Sequence, residues 1–311
     1  MSAIIEVKHL TKDFKELKAV NDLSFTVEAG QVYGFLGQNG AGKSTTIRML
    51  LTLIKPTSGE IEIFGMSLLK NRKEILKQVG AIIERPDLYK YLTALENLRI
   101  FAAMSGVKVS EKKLTDQLAM VGLADRAHSK VKTYSQGMKQ RLGIATALVH
   151  DPNLIILDEP TNGLDPQGIA DIRNLILQLS KELKKTLLIS SHLLSEMELI
   201  ADSMLIIDKG KKIVEGKVDA LFDPAETVVE LKTTDDAATY NQLQQSGLKK
   251  IVQGKRNDCI LLKLHRNEIP AVIKELVQMN ISVVSFHAKH SLEDYFLSLT
   301  TDHPHVEVIK N

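Results

Sequence analysis

The sequence predicts an α/β fold followed by a smaller α+β domain, and three observations lead to this prediction. A short apolar stretch at 31–36 runs into a glycine-rich turn, and the residues after the turn carry apolar side chains three and four positions apart, as in a helix. The continuous apolar runs at 153–157 and 186–190 are typical of strands buried on both faces of a parallel sheet. After about residue 220, strands and helices alternate in a different order.

The glycine-rich turn at 37–44 fits the pattern G-x-x-x-x-G-K-[ST] at every fixed position. Glycines let backbone N–H groups approach phosphate oxygens, and the following helix adds a favourable dipole. Lys43 would reach the β- and γ-phosphates of a nucleotide, and Ser44 would ligate Mg²⁺. A chance glycine turn is the alternative, but the flanking strand and helix favour a P-loop nucleotide-binding core. The predicted binding residues in this loop are Gly37, Asn39, Gly40, Ala41, Gly42, Lys43, Ser44 and Thr45.

Length and composition restrict the class of protein. The chain has 311 residues, more than one typical domain, and a net charge of only +2, which argues against a nucleic-acid-binding polycation. A single cysteine, Cys259, excludes an internal disulfide framework and suits a reducing cytosol. Charges come too early at the N-terminus for a signal peptide, and no apolar run approaches the roughly 20 residues that span a bilayer. Any membrane role is therefore expected to come through a partner.

Two subdomains are expected beside the core. Strands at 4–10 and 23–27, joined by a polar segment, would pair with a strand at 60–65 in a small antiparallel sheet. The polar segment holds Phe14, which by itself fits a buried core side chain better than a platform for a purine. Residues 85–150 are expected to form an inserted helical subdomain.

Local signals place the helices of that subdomain. A capping box at 93–96 starts the first helix, and 112–120 forms a second amphipathic helix that Gly122 stops. Ser135 is the predicted N-cap of a third helix, which ends at His150.

Polar side chains follow the two buried runs where each is predicted to end. Asp158 would hold Mg²⁺ together with Ser44, and Glu159 could activate an attacking water as general base. A solvated strand end is an equally good explanation for two acids taken alone. His192 ends the next strand, at the same edge of the sheet, where ligands bind in α/β folds. A lone histidine is more often structural, but here it could orient the water; the predicted catalytic residues are Glu159, His192 and Lys43.

The region after residue 220 reads as β-α-β-β-α-β, the ferredoxin-like order. It predicts an accessory domain over 220–311, following a nucleotide-binding domain over 1–219. A packing appendage and a dimer contact or regulatory domain are equally open as its role. The expected strands are 228–231, 250–253, 259–264 and 283–286, and the expected helices are 237–245 and 269–279.

Taken in chain order, residues 4 to about 218 resemble the ATP-binding cassette (ABC) family of transporter ATPases. The resemblance assigns Phe14 to the adenine-stacking position. It assigns Glu84 to the loop that senses the transmembrane partner, and to the metal site with Ser44 and Asp158. ATP and Mg²⁺ are the implied cofactors.

The segment Ser135-Gln136-Gly137 resembles the family signature that contacts ATP. The family implies a head-to-tail dimer in which this segment closes over ATP held by a second ATP-binding subunit. A helix N-terminus capped by Ser135 is itself suited to anions. The other implied partner is an integral membrane permease, which would hold this chain at the cytoplasmic face of the cell membrane.

Two departures from the family pattern refine the resemblance. Glu84 stands where glutamine is usual, which keeps an oxygen for Mg²⁺ but loses an amide donor and adds a charge. The signature at 134–138 is Tyr-Ser-Gln-Gly-Met instead of Leu-Ser-Gly-Gly-Gln. With the segment 291–297, Ser-Leu-Glu-Asp-Tyr-Phe-Leu, these departures resemble the subgroup that exports bacitracin or lantibiotics. The implied function is a MgATP-hydrolysing subunit that powers export of peptide antibiotics.

Three alternatives remain. The same ATPase could serve another exported substrate, such as a drug or a lipid, because the substrate pocket would belong to the permease. A non-transport ABC ATPase of translation or DNA repair would normally contain two cassettes or a long coiled-coil insertion, and the sequence has neither. A regulatory module that binds ATP without turnover would be expected to lack Glu159 or His192, and both are present.

Overall fold

The computed structural model describes residues 2–15, 17–221, 227–256 and 259–289. The chain divides into two compact units, Met1–Val218 and Asp219–Asn311, and each has its own cluster of buried apolar side chains. No helix in the described part of the chain has the length and apolar composition needed to cross a membrane.

The elements of the first unit follow the predicted α/β pattern. Its described strands are β1 (Ala3–Phe14), β2 (Leu17–Glu28), β3 (Val32–Leu36), β4 (Ser58–Ile63), β5 (Met66–Ser67), β6 (Val79–Ile82), β7 (Leu154–Asp158), β8 (Thr186–Ser191), β9 (Ser203–Asp208) and β10 (Lys211–Lys217). Its described helices are α1 (Lys43–Leu50), α2 (Arg72–Leu76), α3 (Ala94–Met104), α4 (Glu111–Met120), α5 (Gln136–Leu148), α6 (Pro166–Lys181) and α7 (Leu194–Glu198), and α8 (Val218–Leu221) follows β10.

The central sheet has the strand order β10-β9-β3-β8-β7-β6. Its neighbouring strands are parallel except for β9 and β10, which are antiparallel. Every residue of β3, β7 and β8 is buried, which confirms the buried strands predicted from the apolar runs. Because parallel strands run in one direction, the residues that follow β3, β7 and β8 meet at one edge of the sheet.

A second sheet, β2-β1-β4-β5, is antiparallel, as predicted. Its first two strands are longer than the apolar pattern indicates, since pairing continues through Asp13 with Lys18 and Phe14 with Leu17. The prediction that a polar segment outside the strands connects them is therefore wrong, because most of that segment belongs to β1 and β2. Backbone hydrogen bonds hold the end of this hairpin together, and they do not require apolar side chains.

The helical subdomain begins its helices where the capping signals predict. The Thr93 hydroxyl accepts from the Glu96 N–H, and the Glu96 carboxylate accepts from the Thr93 N–H, which completes the capping box. The Ser135 hydroxyl accepts from the Met138 N–H at 3.2 Å and caps α5. Gly122 takes a φ of +67° after α4 and ends that helix.

The second unit contains β11 (Thr227–Thr233), α9 (Asp236–Gln244), β12 (Val252–Arg256), β13 (Cys259–Leu264), α10 (Ile269–Gln278) and β14 (Val283–Lys289). The antiparallel sheet order β12-β13-β11-β14 fits the predicted β-α-β-β-α-β arrangement. The predicted strand at 250–253 is shifted, because Gly247–Ile251 forms a 3₁₀ turn before β12. The segment 291–297, which supports the subgroup resemblance, lies outside the described residues.

Candidate functional site

The glycine-rich loop connects β3 to α1 at the carboxyl edge of the central sheet. A Cβ atom on Gly37 would lie 2.6 Å from the carbonyl oxygen of Ile207. Gly42 has a φ of +108°, and a Cβ there would lie 2.5 Å from the carbonyl oxygen of Ala19. Both positions therefore require glycine, because a side chain would collide with neighbouring backbone.

Helix α1 begins in this loop without a side-chain cap. The first N–H groups of a helix have no partner within the helix, and they form the positive end of its dipole. An anion bound by the loop can take the part of the missing cap. Ser44 and Thr45, in the first turn of α1, are half-buried, and Asn39 and Gly40, in the loop, are exposed.

Lys43 folds back across the loop and is only 5% exposed. Its Nζ donates to the carbonyl oxygens of Gly37 at 2.6 Å and Gln38 at 3.3 Å. The same atom lies 3.1 Å from Glu159 Oε1 and forms an ion pair with it. The two groups are not aligned for a hydrogen bond, and Oε1 has no hydrogen-bond partner in the described residues. The fold thus brings the predicted phosphate-binding cation beside the predicted general base.

Asp158 ends β7 and is 1% exposed. Its Oδ1 accepts from the Ser190 hydroxyl, while its buried Oδ2 has no hydrogen-bond partner in the described residues. Leaving a buried carboxylate oxygen without a donor or a cation is costly. Asp158 lines a cavity of about 440 Å³ together with Ser44, Glu84 and Glu159. Oδ2 is consequently suited to meet a bound cation.

Glu159 bridges the two other predicted catalytic residues. Its Oε2 lies 2.7 Å from His192 Nδ1, and its Oε1 pairs with Lys43. The histidine tautomer with a proton on Nδ1 donates to this carboxylate. Glu159 has a φ of +50°, in the left-handed region that residues other than glycine rarely adopt, and such strain is concentrated at functional sites.

Ser190 is a site residue that the sequence analysis missed. Its fully buried hydroxyl donates to Asp158 Oδ1 and accepts from the Glu159 N–H at 2.9 Å. The parallel pairing of β7 and β8 places Ser190 directly beside Asp158. A serine near the end of an otherwise apolar strand was the available signal, but the pairing register was needed to interpret it.

Glu84 follows β6 at the rim of the same cavity. It has a φ of +59°, and its carboxylate pairs with the Arg48 guanidinium of α1. Within the described ranges, no cluster of three or more His, Cys, Asp or Glu side chains is arranged to hold a metal ion. Protein ligands for a metal would be few here, as is usual for Mg²⁺ bound together with nucleotide phosphates.

Phe14 is 45% exposed, so the interpretation of this ring as core is wrong. It lies at the end of the β1–β2 hairpin, beyond the buried residues of the sheet. The Lys12 ammonium lies 4.9 Å from the ring centroid. The exposed ring is compatible with the alternative role as a platform for a purine.

The signature residues at the start of α5 do not line this cavity. Ser135 and Gln136 are exposed and Gly137 is half-buried. The Gln136 amide donates to the carbonyl oxygen of Asn162 at 3.4 Å, and Asn162 does line the cavity. Within one chain, the signature therefore lies near the rim and presents a helix N-terminus outward.

The fold and the site together define a P-loop nucleotide-binding ATPase core. The model of the ABC transporter family matches residues 20–162. The bacitracin transport ATP-binding protein BcrA of Bacillus licheniformis is 44% identical over 300 residues, which cover 96% of this chain and 98% of the relative. The lantibiotic transport ATP-binding protein SrtF of Streptococcus pyogenes is 42% identical over 216 residues, which cover 70% of this chain and 92% of the relative.

A solved ATP-binding cassette, a dimer in a post-hydrolysis state with ADP and Pi, matches with a TM-score of 0.62 and 27% identity over 69% of this chain and 98% of that chain. The chain belongs to the ABC transporter family, and it is an ATP-binding, ATP-hydrolysing subunit. This confirms the family resemblance drawn from the motifs. The roles of the individual site residues stay predictions.

Proposed function

We propose that this chain is the MgATP-hydrolysing subunit of a transporter that exports peptide antibiotics of the bacitracin or lantibiotic type through a separate permease. The observation that carries the ATPase part is the chain of contacts from Lys43 through Glu159 to His192, beside the free oxygen of Asp158. The two relatives, a bacitracin transport and a lantibiotic transport ATP-binding protein, support the choice of substrate. Export of a drug or lipid, and a non-transport regulatory ATPase, are the alternatives.

The residues at this edge of the sheet fit Mg²⁺. The ion prefers hard oxygen ligands, and Asp158 Oδ2 is buried and unpartnered. Asp158 and Ser44 would hold it, and Glu84 lies at the rim of the same cavity. When bound, Mg²⁺ neutralises negative charge on the β- and γ-phosphates during transfer.

The protein side chains supply the remaining chemistry. A γ-phosphate entering between Lys43 and Glu159 would exchange their 3.1 Å ion pair for a contact between Lys43 and phosphate. Glu159 Oε1 would then be available to accept a proton from the attacking water. His192 would hold Oε2, fix the orientation of the carboxylate and place the water in line with the phosphate.

We further propose that two chains assemble head to tail around ATP. Ser135, Gln136 and Gly137 of one chain would meet the γ-phosphate held by the loop of the other, with Phe14 against the adenine. The outward position of the α5 N-terminus supports this arrangement, because a second copy can reach it. The dimeric solved structure of the similar cassette also supports it.

A membrane permease is the other proposed partner, and it would dock along residues 84–98. This chain would then work at the cytoplasmic face of the membrane, held there through the permease. We assign ATP binding to residues 1–219 and an accessory role to 220–311, either packing or dimer regulation. A neighbouring gene for a six-helix membrane protein would support this assembly. The assembly would be contradicted if the protein worked without any co-encoded membrane partner.

Glu159→Gln tests the catalytic assignment. We expect turnover of MgATP to fall by about 10²- to 10⁴-fold, because the substitution removes the base while ATP binding is kept. The ATP-bound chain should then elute as a dimer in size-exclusion chromatography. Glu182→Gln, an exposed change of the same kind on the far end of α6, is the control and should keep the wild-type rate. An unchanged rate in Glu159→Gln would exclude Glu159 as the base.

Deletion of the gene tests the substrate. Cells without it should become more sensitive to bacitracin or to a lantibiotic, and re-expression of the wild-type chain, but not of the Glu159→Gln variant, should restore resistance. Unchanged sensitivity to both compounds would overturn the export of peptide antibiotics and leave the ATPase assignment intact.

A further inference from the structure

We propose that Arg48 is a positioning residue that competes with bound Mg²⁺ for the carboxylate of Glu84, an inference that rests on the proposed MgATP site. Arg48 belongs to the helix that follows the phosphate loop, and its guanidinium pairs with Glu84. Glutamate, which stands at position 84 in place of the usual glutamine, thus adds a negative charge, and Arg48 is the cation that pairs with it.

The Arg48–Glu84 ion pair lies beside the residues proposed to hold the metal. Arg48 comes four residues after Ser44 in α1, so the two side chains share one face of the helix about 5–6 Å apart. Ser44, Glu84 and Asp158 line one cavity. The Glu84 carboxylate that pairs with Arg48 therefore borders the cavity in which Ser44 and Asp158 would hold a cation.

The backbone around Glu84 is constrained by a left-handed conformation at Glu84 and by close packing at Pro86. The φ of +59° at Glu84 sets a bend directly after β6. Two residues later, Pro86 packs against α5 so closely that a Cβ on Gly143 would lie 2.4 Å from Pro86 Cβ. Packing holds the loop at Pro86, whereas the Glu84 side chain is 65% exposed and is the part that can exchange partners.

The ion pair between Arg48 and Glu84 is weak enough to open. The side chains of Arg48 and Glu84 are 41% and 65% exposed, and solvent screens such pairs. An exposed pair changes an equilibrium constant by roughly 1.4-fold to fivefold. A glutamine at position 84 would carry no charge and would form no ion pair with Arg48. Glutamate forms the ion pair, so its carboxylate must leave Arg48 before it can contact the metal.

The test measures metal affinity without turnover. Mn²⁺ replaces Mg²⁺ as a paramagnetic probe, and its binding to the full chain saturated with an ATP analogue bearing an imido β–γ bridge is followed by electron paramagnetic resonance. Arg48→Gln should tighten Mn²⁺ binding about 1.4-fold to fivefold, because it frees Glu84. Glu84→Gln should weaken it, and Arg48→Gln should have no further effect in the Glu84→Gln background.

Two controls separate positioning from simple loss of charge. Arg48→Lys keeps the cation and should stay near the wild-type affinity. Arg72→Gln removes an equal charge from α2, where the guanidinium bonds Thr52, and should change nothing.

Equal tightening by Arg48→Gln in both backgrounds would overturn the proposal, since Arg48 would then act as a remote charge. An unchanged Mn²⁺ affinity in a folded Arg48→Gln variant would also overturn it. Failure of the nucleotide-loaded wild-type chain to bind Mn²⁺ would instead contradict the proposed function itself.

Discussion

Replacing Ser190 with alanine removes one hydroxyl that serves two site residues at once. The hydroxyl donates to the charged Asp158 Oδ1 and accepts from the Glu159 N–H, and the side chain is fully buried. A hydrogen bond to a charged group contributes about 1.5–3 kcal/mol, and a neutral one about 0.5–1.5 kcal/mol. We therefore expect Ser190→Ala to lower the free energy of unfolding of the first unit by about 2–4 kcal/mol.

Hydrogen exchange measured by mass spectrometry suits this prediction, because peptides from β7 and β8 report on the first unit separately from the second. Ser191→Ala is a matched control at the next position. Ser191 is 1% exposed, and its hydroxyl bonds the neutral backbone of Leu193. The loss of this hydroxyl should cost about 0.5–1.5 kcal/mol, the range for a neutral hydrogen bond.

A double-mutant cycle identifies the charged partner. In an Asp158→Asn background, the cost of Ser190→Ala should fall by about 1 kcal/mol or more, because the acceptor no longer carries a charge. Equal losses for the two serine variants, or an unchanged cost in the Asp158→Asn background, would refute the assignment of Ser190 as the residue that orients this carboxylate.

Two more predictions concern the loop and the pH dependence. Gly42→Ala should abolish binding of a fluorescent ATP analogue, because the new Cβ would lie 2.5 Å from the carbonyl oxygen of Ala19. Gly40→Ala should weaken binding less, because no atom outside its two chain neighbours lies within 4 Å of its new Cβ. Equal effects of the two substitutions would contradict the steric argument. Burial lowers the pKa of His150 below its usual value, although its hydrogen bond to Val79 opposes this shift. Stability present above about pH 6.5 should therefore decrease as the pH falls, since the unfolded chain binds the proton more readily. Urea unfolding at pH 7.5 and 5.5 should show a smaller decrease in His150→Asn, and equal decreases would contradict the prediction.

Sequence reasoning succeeded where the cause of a structure is local. The loop at 37–44 is recognised by its glycines, and the buried strands β7 and β8 by continuous apolar runs. The capping residues Thr93 and Ser135 act on N–H groups three residues away, so a short pattern contains the whole interaction.

It failed where a residue depends on packing. Phe14 has an apolar ring, which favours burial, but the hairpin extends beyond the core and leaves the ring exposed. Ser190 looked like an ordinary strand residue until the parallel register placed it beside Asp158. The pairing of Glu84 with Arg48 depends on a bend after β6, which no nearby sequence pattern indicates.

The sequence by itself determined the family and the ATPase chemistry, and it predicted most of the side chains that would perform it, because each motif is a short run with a fixed geometry. Only the tertiary structure decided how those side chains are connected. The order of strands β3, β8 and β7 brings Lys43, Glu159 and His192 into contact and leaves Asp158 Oδ2 without a protein partner. The physical reason is that these contacts join residues far apart in the chain, whose distances are set by sheet pairing and not by spacing in the sequence.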